Sequence, residues 1–213
     1  MCGEFGSMPV LGEPAPDFEA LTTAGMVKLS DFKGKWLVLF SHPADFTPVC
    51  TTEFIAFSQI AEELKSLNVQ LMGLSIDSVH SHLAWIRNIK EKMGVDIPFP
   101  IIADLDMKVA KKYGMIHPGQ SSTAAIRAVF FIDDKGILRA MIYYPLTAGR
   151  YMPEIIRLVK SLQTTDKYGV ATPANWQPGD KVVVPAPKNK EEMDKRLSEG
   201  YECKDWYLCF KKL

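Results

Sequence analysis

Hydrophobic positions along the chain follow two spacings in turn, and this alternation predicts an α/β protein. The following apolar runs have the length and composition of β-strands: Trp36–Phe40, Val69–Ile76, Ala128–Ile132 and Ile137–Tyr144. Elsewhere apolar side chains recur every three or four residues, as on one face of a helix. Two such stripes are formed by Phe57, Ile60, Ala61 and Leu64, and by Ile155, Leu158, Val159 and Leu162. We expect both helices to lie against a sheet.

The turn sequence Asp133–Gly136 lies between the last two strand-like runs and predicts a β-hairpin. An otherwise parallel sheet then contains an antiparallel part. The predicted fold class is therefore α/β, with a thioredoxin-like mixed sheet flanked by helices.

The pattern changes beyond about Lys160, where prolines become frequent. We predict a thioredoxin-like domain over residues 8–165 and a C-terminal extension arm over residues 166–213, without a second core. The arm contains one short strand-like run, Lys181–Val184, then a charged helix-prone stretch, Lys188–Glu199, and an aromatic tail. An exposed aromatic surface of this size is typical of an interface, and we expect a neighbouring subunit to bury it.

Charge and hydropathy exclude several classes of protein. Lys+Arg and Asp+Glu each number 25, so no net charge draws the chain to nucleic acid or to an anionic membrane. No apolar run approaches the roughly 18 residues of a membrane span, and the N-terminus lacks a secretory signal pattern. We therefore expect a cytoplasmic protein. The stretch Met1–Met8 resembles an irregular start, so Cys2 is given no role.

The cysteines and histidines do not form a pattern typical of a disulfide framework or a zinc site. Disulfide frameworks belong to short secreted domains. Five residues separate Cys203 from Cys209, more than in a usual zinc-ligand pair. The histidines are scattered at His42, His80, His82 and His117. We expect each to be a surface or packed side chain, and we expect no metal site.

Cys50 has the strongest indication of chemistry in the chain. It follows the run Trp36–Phe40, where a buried strand turns into a helix. Thr47 has N-cap chemistry and Pro48 suits the first helical position, which places Cys50 in the first turn. Free backbone N–H groups and the helix dipole favour a thiolate there. A helix end supplies only about 0.3–2 kcal/mol, so a cationic side chain is also needed.

Arg127 and Arg150 are the candidates for that cation, because each lies at the end of a predicted strand. Arg127 is the stronger candidate. Glu53 lies one helical turn after Cys50, where it can hold an arginine fork, although alone it would be a solvated first-turn carboxylate. The hydroxyl of Thr47 can accept from a backbone N–H and can donate to the sulfur or to a bound oxygen.

The segment His42–Glu53 has the sequence HPADFTPVCTTE, which resembles the active-site motif of the peroxiredoxins in the form used by their one-cysteine branch. The similarity continues through Gly73–Ser78, Phe99–Asp104, Arg127–Asp133 and Tyr143–Pro145. The resemblance implies a thiol peroxidase on a thioredoxin-like fold, without metal, haem or flavin. It makes Cys50 the peroxidatic cysteine, and Thr47 and Arg127 the residues that bind the peroxide.

Other site residues and the partners are also implied by the resemblance. Pro43 shields the thiolate, while Glu53 and Arg150 orient Arg127. Family members form dimers that often close into decameric rings. A thiol reductant, such as thioredoxin or a glutaredoxin-like protein, restores the enzyme after each turnover.

The tail departs from the plain one-cysteine pattern. Cys203 and Cys209 are similar to the paired tail cysteines of archaeal members of this branch, where the last one resolves the oxidised cysteine of a partner subunit. The resemblance therefore implies Cys209 as the resolving residue and Cys203 as the second choice. Packing of the tail is the alternative for both.

Three other activities have less support. Some mammalian members carry a lipase activity at a Gly-x-Ser-x motif, but the matching region here, Val27–Phe32, lacks the glycine. A disulfide oxidoreductase would have Cys-x-x-Cys at the helix start, where this chain has Thr47. A holdase or assembly protein would use the same aromatic tail, and a peroxide assay on a Cys50 variant separates it from a peroxidase.

Overall fold

The computed structural model describes residues 8–213. Residues 1–7, which include Cys2, lie outside this range, and so does most of the stretch expected to be an irregular start. Contacts divide the chain into two compact units between Met152 and Pro153. The sequence analysis predicts the domain boundary between residues 165 and 166, within the last turn of the helix Met152–Tyr168, and that boundary stays a prediction.

The first unit consists of a sheet, α-helices and a short 3₁₀ turn. Its strands are β1 (Glu19–Thr22), β2 (Gly25–Lys28), β3 (Trp36–Ser41), β4 (Val69–Ser75), β5 (Ile101–Ala103), β6 (Arg127–Ile132) and β7 (Leu138–Tyr144). Its α-helices are α1 (Pro48–Ser66), α2 (Val79–Met93) and α3 (Lys108–Lys112), and the 3₁₀ turn covers Leu29–Phe32. The strand-like runs of the sequence correspond to β3, β4, β6 and β7.

The strands form one mixed sheet in the order β2-β1-β5-β4-β3-β6-β7. β3, β4 and β5 run parallel, whereas β6 and β7 pair antiparallel at one side. The hairpin predicted at Asp133–Gly136 connects β6 to β7, and Gly136 has a φ of 83° that favours glycine. The mixed thioredoxin-like sheet expected from the sequence is confirmed.

β3 lies inside this sheet, between β4 and β6, and is buried along its whole length. Its side chains alternate between two packed layers, as expected for a strand covered on both faces. Phe40 stacks on Phe57 of α1 with ring centroids 3.9 Å apart. Leu37 and Leu39 belong to the core cluster that includes Val109 of α3. This packing fixes the position at which β3 ends and α1 begins.

The second unit contains a long helix and a small sheet. Its elements are α4 (Met152–Tyr168), β8 (Val182–Val183), α5 (Lys190–Arg196), β9 (Glu202–Asp205) and β10 (Leu208–Lys211). The three strands pair antiparallel in the order β8-β10-β9. A small buried cluster consists of Val170, Trp176 and Val182. Among the described residues, no helix is both long enough and apolar enough to cross a bilayer.

The predicted C-terminal extension is confirmed, but it contains three strands instead of one and a small buried cluster of its own. β9 and β10 carry charged residues beside their apolar ones, so neither has the continuous apolar run that identified the other strands. The helix-prone stretch was confirmed in a shorter form as α5.

Candidate active site

The loop between β3 and α1 places Cys50 as the sequence predicted. Thr47 is the N-cap of α1, Pro48 is the first helical residue, and Cys50 lies in the first turn with its side chain buried. Phe46 has a φ of 55°, which is unusual for a bulky residue and turns the chain into the helix. The Thr47 hydroxyl makes no capping bond but donates to the carbonyl of Ala44 at 2.8 Å. Its oxygen therefore retains acceptor capacity.

Arg127 reaches Cys50 from the neighbouring strand. Because β6 runs antiparallel to β3, the first residue of β6 lies beside the end of β3, where α1 begins. Arg127 Nη1 lies 3.4 Å from Cys50 Sγ and donates to Glu53 Oε2 at 2.7 Å. Its Nε donates to the carbonyl of Leu146 at 2.9 Å. The guanidinium is thus fixed on two sides and directed at the sulfur.

Arg150 is held against the other side of Glu53. Its backbone N–H and its Nε donate to Glu53 Oε1 at 2.9 and 2.8 Å, and its Nη2 donates to Glu53 Oε2 at 2.6 Å. Nη1 donates to the carbonyls of Ser41 and Ala128. The guanidinium carbon lies 5.3 Å from the ring centroid of Phe40, within cation–π range. The structure therefore brings Cys50, Glu53 and both predicted arginines together.

Glu53 remains ionised within this buried cluster. Burial raises the pKa of its carboxyl, but the charge and hydrogen bonds of Arg150, followed by the charge of Arg127, outweigh this effect and hold the pKa below its usual range. The interpretation of Glu53 as a solvated carboxylate is wrong for this structure, since the residue is buried.

A second buried network, which the sequence did not reveal, supports the same loop. Asp45 Oδ1 accepts from His42 Nε2 at 2.9 Å, and Asp45 Oδ2 accepts from His82 Nδ1 at 2.8 Å. His82 Nε2 donates to the carbonyl of Ile102 at 3.1 Å. Both ring nitrogens of His82 thus have a polar partner. The network connects the loop to α2 and β5.

The pKa values of this network agree with one buried carboxylate between two rings. Burial raises the pKa of Asp45, but hydrogen bonds from His42 and His82 outweigh it, and the pKa lies far below its usual range. Burial lowers the pKa of His42, although Asp45 opposes this effect. Within the described part of the chain, His42 Nδ1 is buried without a hydrogen-bond partner. The sequence pattern did not predict the contact between His82 and Asp45, because that contact depends on the order of the strands in the sheet.

The same three side chains are the group in the described residues that could ligate a metal ion, since one ligand atom from each lies within 4.8 Å of the others. Direct hydrogen bonds already connect both rings to the carboxylate, as expected for packed histidines. The expectation of no metal and no cofactor stays a prediction.

The remaining predicted site residues have these positions. Pro43 is partly exposed in the loop that follows β3. Cys203 and Cys209 are bonded to each other as a disulfide across β9 and β10, a pairing that the sequence analysis did not consider. Cys50 is the free thiol among the described residues.

The region matched to the lipase motif borders a cavity of about 300 Å³. Ser30 and Asp133 line this cavity, but none of its described lining residues is a histidine. The cavity therefore lacks a histidine base for the Ser30 hydroxyl.

Comparisons with known proteins agree with this geometry. The profile described as the AhpC/TSA family matches residues 11–141, and the profile described as the C-terminal domain of 1-Cys peroxiredoxin matches residues 161–200. The chain is 65% identical to a protein named Peroxiredoxin from Aquifex aeolicus (strain VF5), covering 99% of this chain and 100% of that relative.

Two solved structures extend the similarity to three dimensions. A yeast mitochondrial 1-Cys peroxiredoxin, described as resolved through glutathione and thioredoxin systems, has a TM-score of 0.86 and 42% identity over 97% of this chain and 100% of that one. A cysteine-to-serine mutant of the Peroxiredoxin 6 of Arenicola marina has a TM-score of 0.86 and 42% identity over 96% and 98% of the two chains. The chain with this buried cysteine and arginine cluster belongs to the peroxiredoxin family of thiol-dependent peroxidases.

Proposed function

We propose that this peroxiredoxin reduces hydrogen peroxide and alkyl hydroperoxides through a sulfenic acid at Cys50, in antioxidant defence. The observation that carries the proposal is the position of Arg127 Nη1, which lies between Cys50 Sγ at 3.4 Å and Glu53 Oε2 at 2.7 Å. A donor fixed beside the nucleophile is placed to stabilise charge that develops on a bound peroxide.

Charge balance supports a thiolate as the attacking species. Two guanidinium groups face one carboxylate in this buried cluster, which leaves one positive charge next to the sulfur. A thiolate on Cys50 would balance that charge. Unbalanced charge in a buried site is costly, so the cluster favours the anionic nucleophile.

In the proposed reaction the Cys50 thiolate attacks the terminal peroxide oxygen in line with the O–O bond. The leaving oxygen develops negative charge, which Arg127 and the backbone N–H of Cys50 stabilise. Removing one such donor typically costs about 3–4 kcal/mol of transition-state stabilisation. The Thr47 oxygen is placed to accept a hydrogen bond from the peroxide, because its own hydroxyl proton is directed at Ala44. Pro43, earlier in the loop, shields the sulfur from water.

The sulfenic acid then needs a second thiol before further oxidation takes place. We assign this step to Cys209 of a partner subunit, with Cys203 as second choice. A disulfide forms only when the Cα atoms of its two cysteines lie within about 7 Å of each other. Cys50 is buried in the packed first turn of α1, so a cysteine of another subunit cannot approach it that closely while the turn is folded. The first turn of α1 therefore unwinds locally before resolution.

The cycle also needs a reductant and an assembly. The similar yeast protein is described as using glutathione and thioredoxin systems for its own resolution. We propose a reductant of the same chemical class here, thioredoxin or a glutaredoxin-like protein, and the cytoplasm as the compartment that supplies it. Dimers that close into a decameric ring would provide the partner subunit.

Peroxide consumption by the wild type and by Cys50→Ser tests the proposal. The wild type consumes one peroxide per chain in a rapid first turnover and yields a sulfenic acid that dimedone traps at Cys50. Cys50→Ser consumes none. Cys209→Ser serves as the control, since it keeps the first turnover but has no thiol at position 209 to resolve Cys50, so the dimedone-reactive sulfenic acid persists. Peroxide consumption by Cys50→Ser at the wild-type rate would overturn the assignment.

A further inference from the structure

We propose that Cys203 is a catalytic residue that receives the oxidation from Cys209, so that the external reductant acts on the Cys203–Cys209 disulfide rather than at Cys50. The proposal rests on the proposed function, because Cys50 has to be oxidised and resolved by Cys209 first. It starts from the observation that the two tail sulfurs are bonded to each other.

The strand register brings these two cysteines face to face. β10 pairs with β9 through Leu208 and Asp205, and a regular antiparallel ladder would then place Cys209 opposite Lys204. The register shifts after Leu208, and Cys209 pairs with Cys203 instead. A bulge of this kind inserts one residue in a strand and redirects the neighbouring side chains. The register shift thus occurs at the position in the hairpin where it places Cys209 opposite Cys203.

The transfer is a thiol–disulfide exchange in which atoms and electrons balance. Resolution of the sulfenic acid releases water and leaves a Cys50–Cys209 disulfide. The Cys203 thiolate attacks Cys209 Sγ, the bond between Cys209 and Cys50 breaks, and Cys50 departs as a thiolate. The sum is two thiols and one hydroperoxide converted to one disulfide, one alcohol and one water. The peroxide is the only oxidant required.

Two features of the structure favour this direction. The attack is intramolecular within a hairpin of six-residue separation, which gives the Cys203 sulfur a high effective concentration at Cys209. The departing Cys50 sulfur returns to Arg127 Nη1, and a stabilised thiolate is the better leaving group.

Accessibility explains what the transfer accomplishes. Cys50 is fully buried while the first turn of α1 is folded, so a protein reductant can reach its sulfur only while that turn is unwound. Cys203 is partly exposed, and the hairpin turn beside it, formed by Trp206 and Tyr207, is exposed. The relay therefore moves the oxidation from a closed site to a position that a dithiol protein can reach.

Disulfide mapping after one equivalent of hydrogen peroxide tests the relay on fully reduced full-length protein. By mass spectrometry, we expect the wild type to contain Cys203–Cys209 and a free Cys50 thiol, whereas Cys203→Ser retains Cys50–Cys209. With thioredoxin, its reductase and NADPH, steady-state turnover of Cys203→Ser falls at least about tenfold, because the reductant must then act on the Cys50–Cys209 disulfide instead of the tail disulfide. The first-turnover rate of peroxide consumption is unchanged.

Lys204→Ser is the matched control, because it alters the same strand without removing a thiol, and we expect wild-type turnover from it. The relay is overturned if the oxidised wild type retains Cys50–Cys209, or if Cys203→Ser turns over normally and loses only thermal stability, as for a structural disulfide. Failure of the proposed function looks different, since Cys50 would then consume no peroxide even in the first turnover.

Discussion

The carboxylate of Glu53 accepts hydrogen bonds at all its lone-pair positions, two on each oxygen, from Arg127 and Arg150. Such a saturated buried ion cluster has little freedom to move. It holds Arg127 Nη1 at 3.4 Å from the Cys50 sulfur. Arg150 hydrogen-bonds to Glu53 instead of the sulfur, and we propose that it acts as a positioning residue through Glu53.

Arg127→Gln removes the fixed donor, and we expect kcat/KM for hydrogen peroxide to fall by about 10²–10³. The thiolate fraction of Cys50, followed by ultraviolet absorbance, changes far less, because the donor acts mainly on the transition state. Arg139→Gln is the control, since Arg139 pairs with Asp133. If the rate fell only in proportion to the thiolate fraction, ionisation would be the dominant role of Arg127.

Glu53→Gln keeps the shape of the side chain but leaves two buried guanidinium groups without their counterion. Loss of one partner of a buried ion pair costs about 3–5 kcal/mol, and we expect a loss of this size in the free energy of unfolding measured with urea. Glu62→Gln provides a matched control on the same helix, because Glu62 is 83% exposed and should change the stability by less than about 0.5 kcal/mol. Equal losses of stability in the two variants would contradict the role of Glu53 as the counterion of both arginines.

The loop between β3 and α1 depends on contacts from two other elements. The bonds of Asp45 to His42 and His82 connect it to α2, and the Asp45 backbone N–H donates to Asp77 Oδ2 after β4. In the proposed resolution step, the first turn of α1 would therefore unwind beside a segment that stays anchored. This arrangement limits the opening needed for resolution to the residues around Cys50.

The buried ring of His42 makes stability depend on pH. Burial lowers the pKa of His42 in the folded chain, with Asp45 and Asp77 opposing this effect and His82 adding to it. The unfolded chain gains a proton below about pH 6.5, whereas the folded ring does not, so stability is present above that pH and declines as the pH falls. The ionised Asp45 does not compensate, because its pKa lies far below this window.

We therefore expect the free energy of unfolding of the wild type to decrease between about pH 7.5 and pH 5.5, with a smaller decrease in His42→Asn. His80→Asn is the control, since His80 is exposed on α2 and its variant should keep the wild-type slope. Urea titrations at each pH measure the effect. A free energy of unfolding of the wild type that stays constant across this pH range would refute the role of the buried His42 ring.

Each compact unit exposes large apolar side chains when the chain is taken alone. In the first unit Val10, Leu105 and Tyr151 are 65%, 66% and 68% exposed, and in the second Leu197 and Tyr207 are 66% and 54% exposed. Apolar surface of this kind marks interaction sites when it is contiguous. If copies of the chain associate as proposed, these side chains are candidates for the surface that they bury.

Light scattering should give a mass ten times that of the 23.9 kDa chain for a ring, or twice that mass for an isolated dimer. Tyr207→Ser is expected to weaken this assembly by removing aromatic contact area from the tail. Tyr168→Ser is the control, because Tyr168 is exposed at the end of α4, away from the tail in sequence. A monomeric wild type would rule out both the ring and resolution by a partner subunit.

The sequence by itself determined the features that depend on near neighbours. Thr47 and Pro48 start a helix and place Cys50 in its first turn, because capping and proline preferences act within a few residues. The Asp133–Gly136 turn likewise produced the antiparallel pair at one side of the sheet. The residues of the site were named in advance, but the roles of most of them came from the resemblance to the peroxiredoxins.

Only the tertiary structure decided which distant residues meet. Arg127 lies 77 residues from Cys50, and their contact depends on β6 pairing antiparallel with β3. The bond between Asp45 and His82, and the register shift that pairs Cys203 with Cys209, were likewise absent from the local pattern. Periodicity reports which side of an element is buried, whereas strand order and register determine what that side faces.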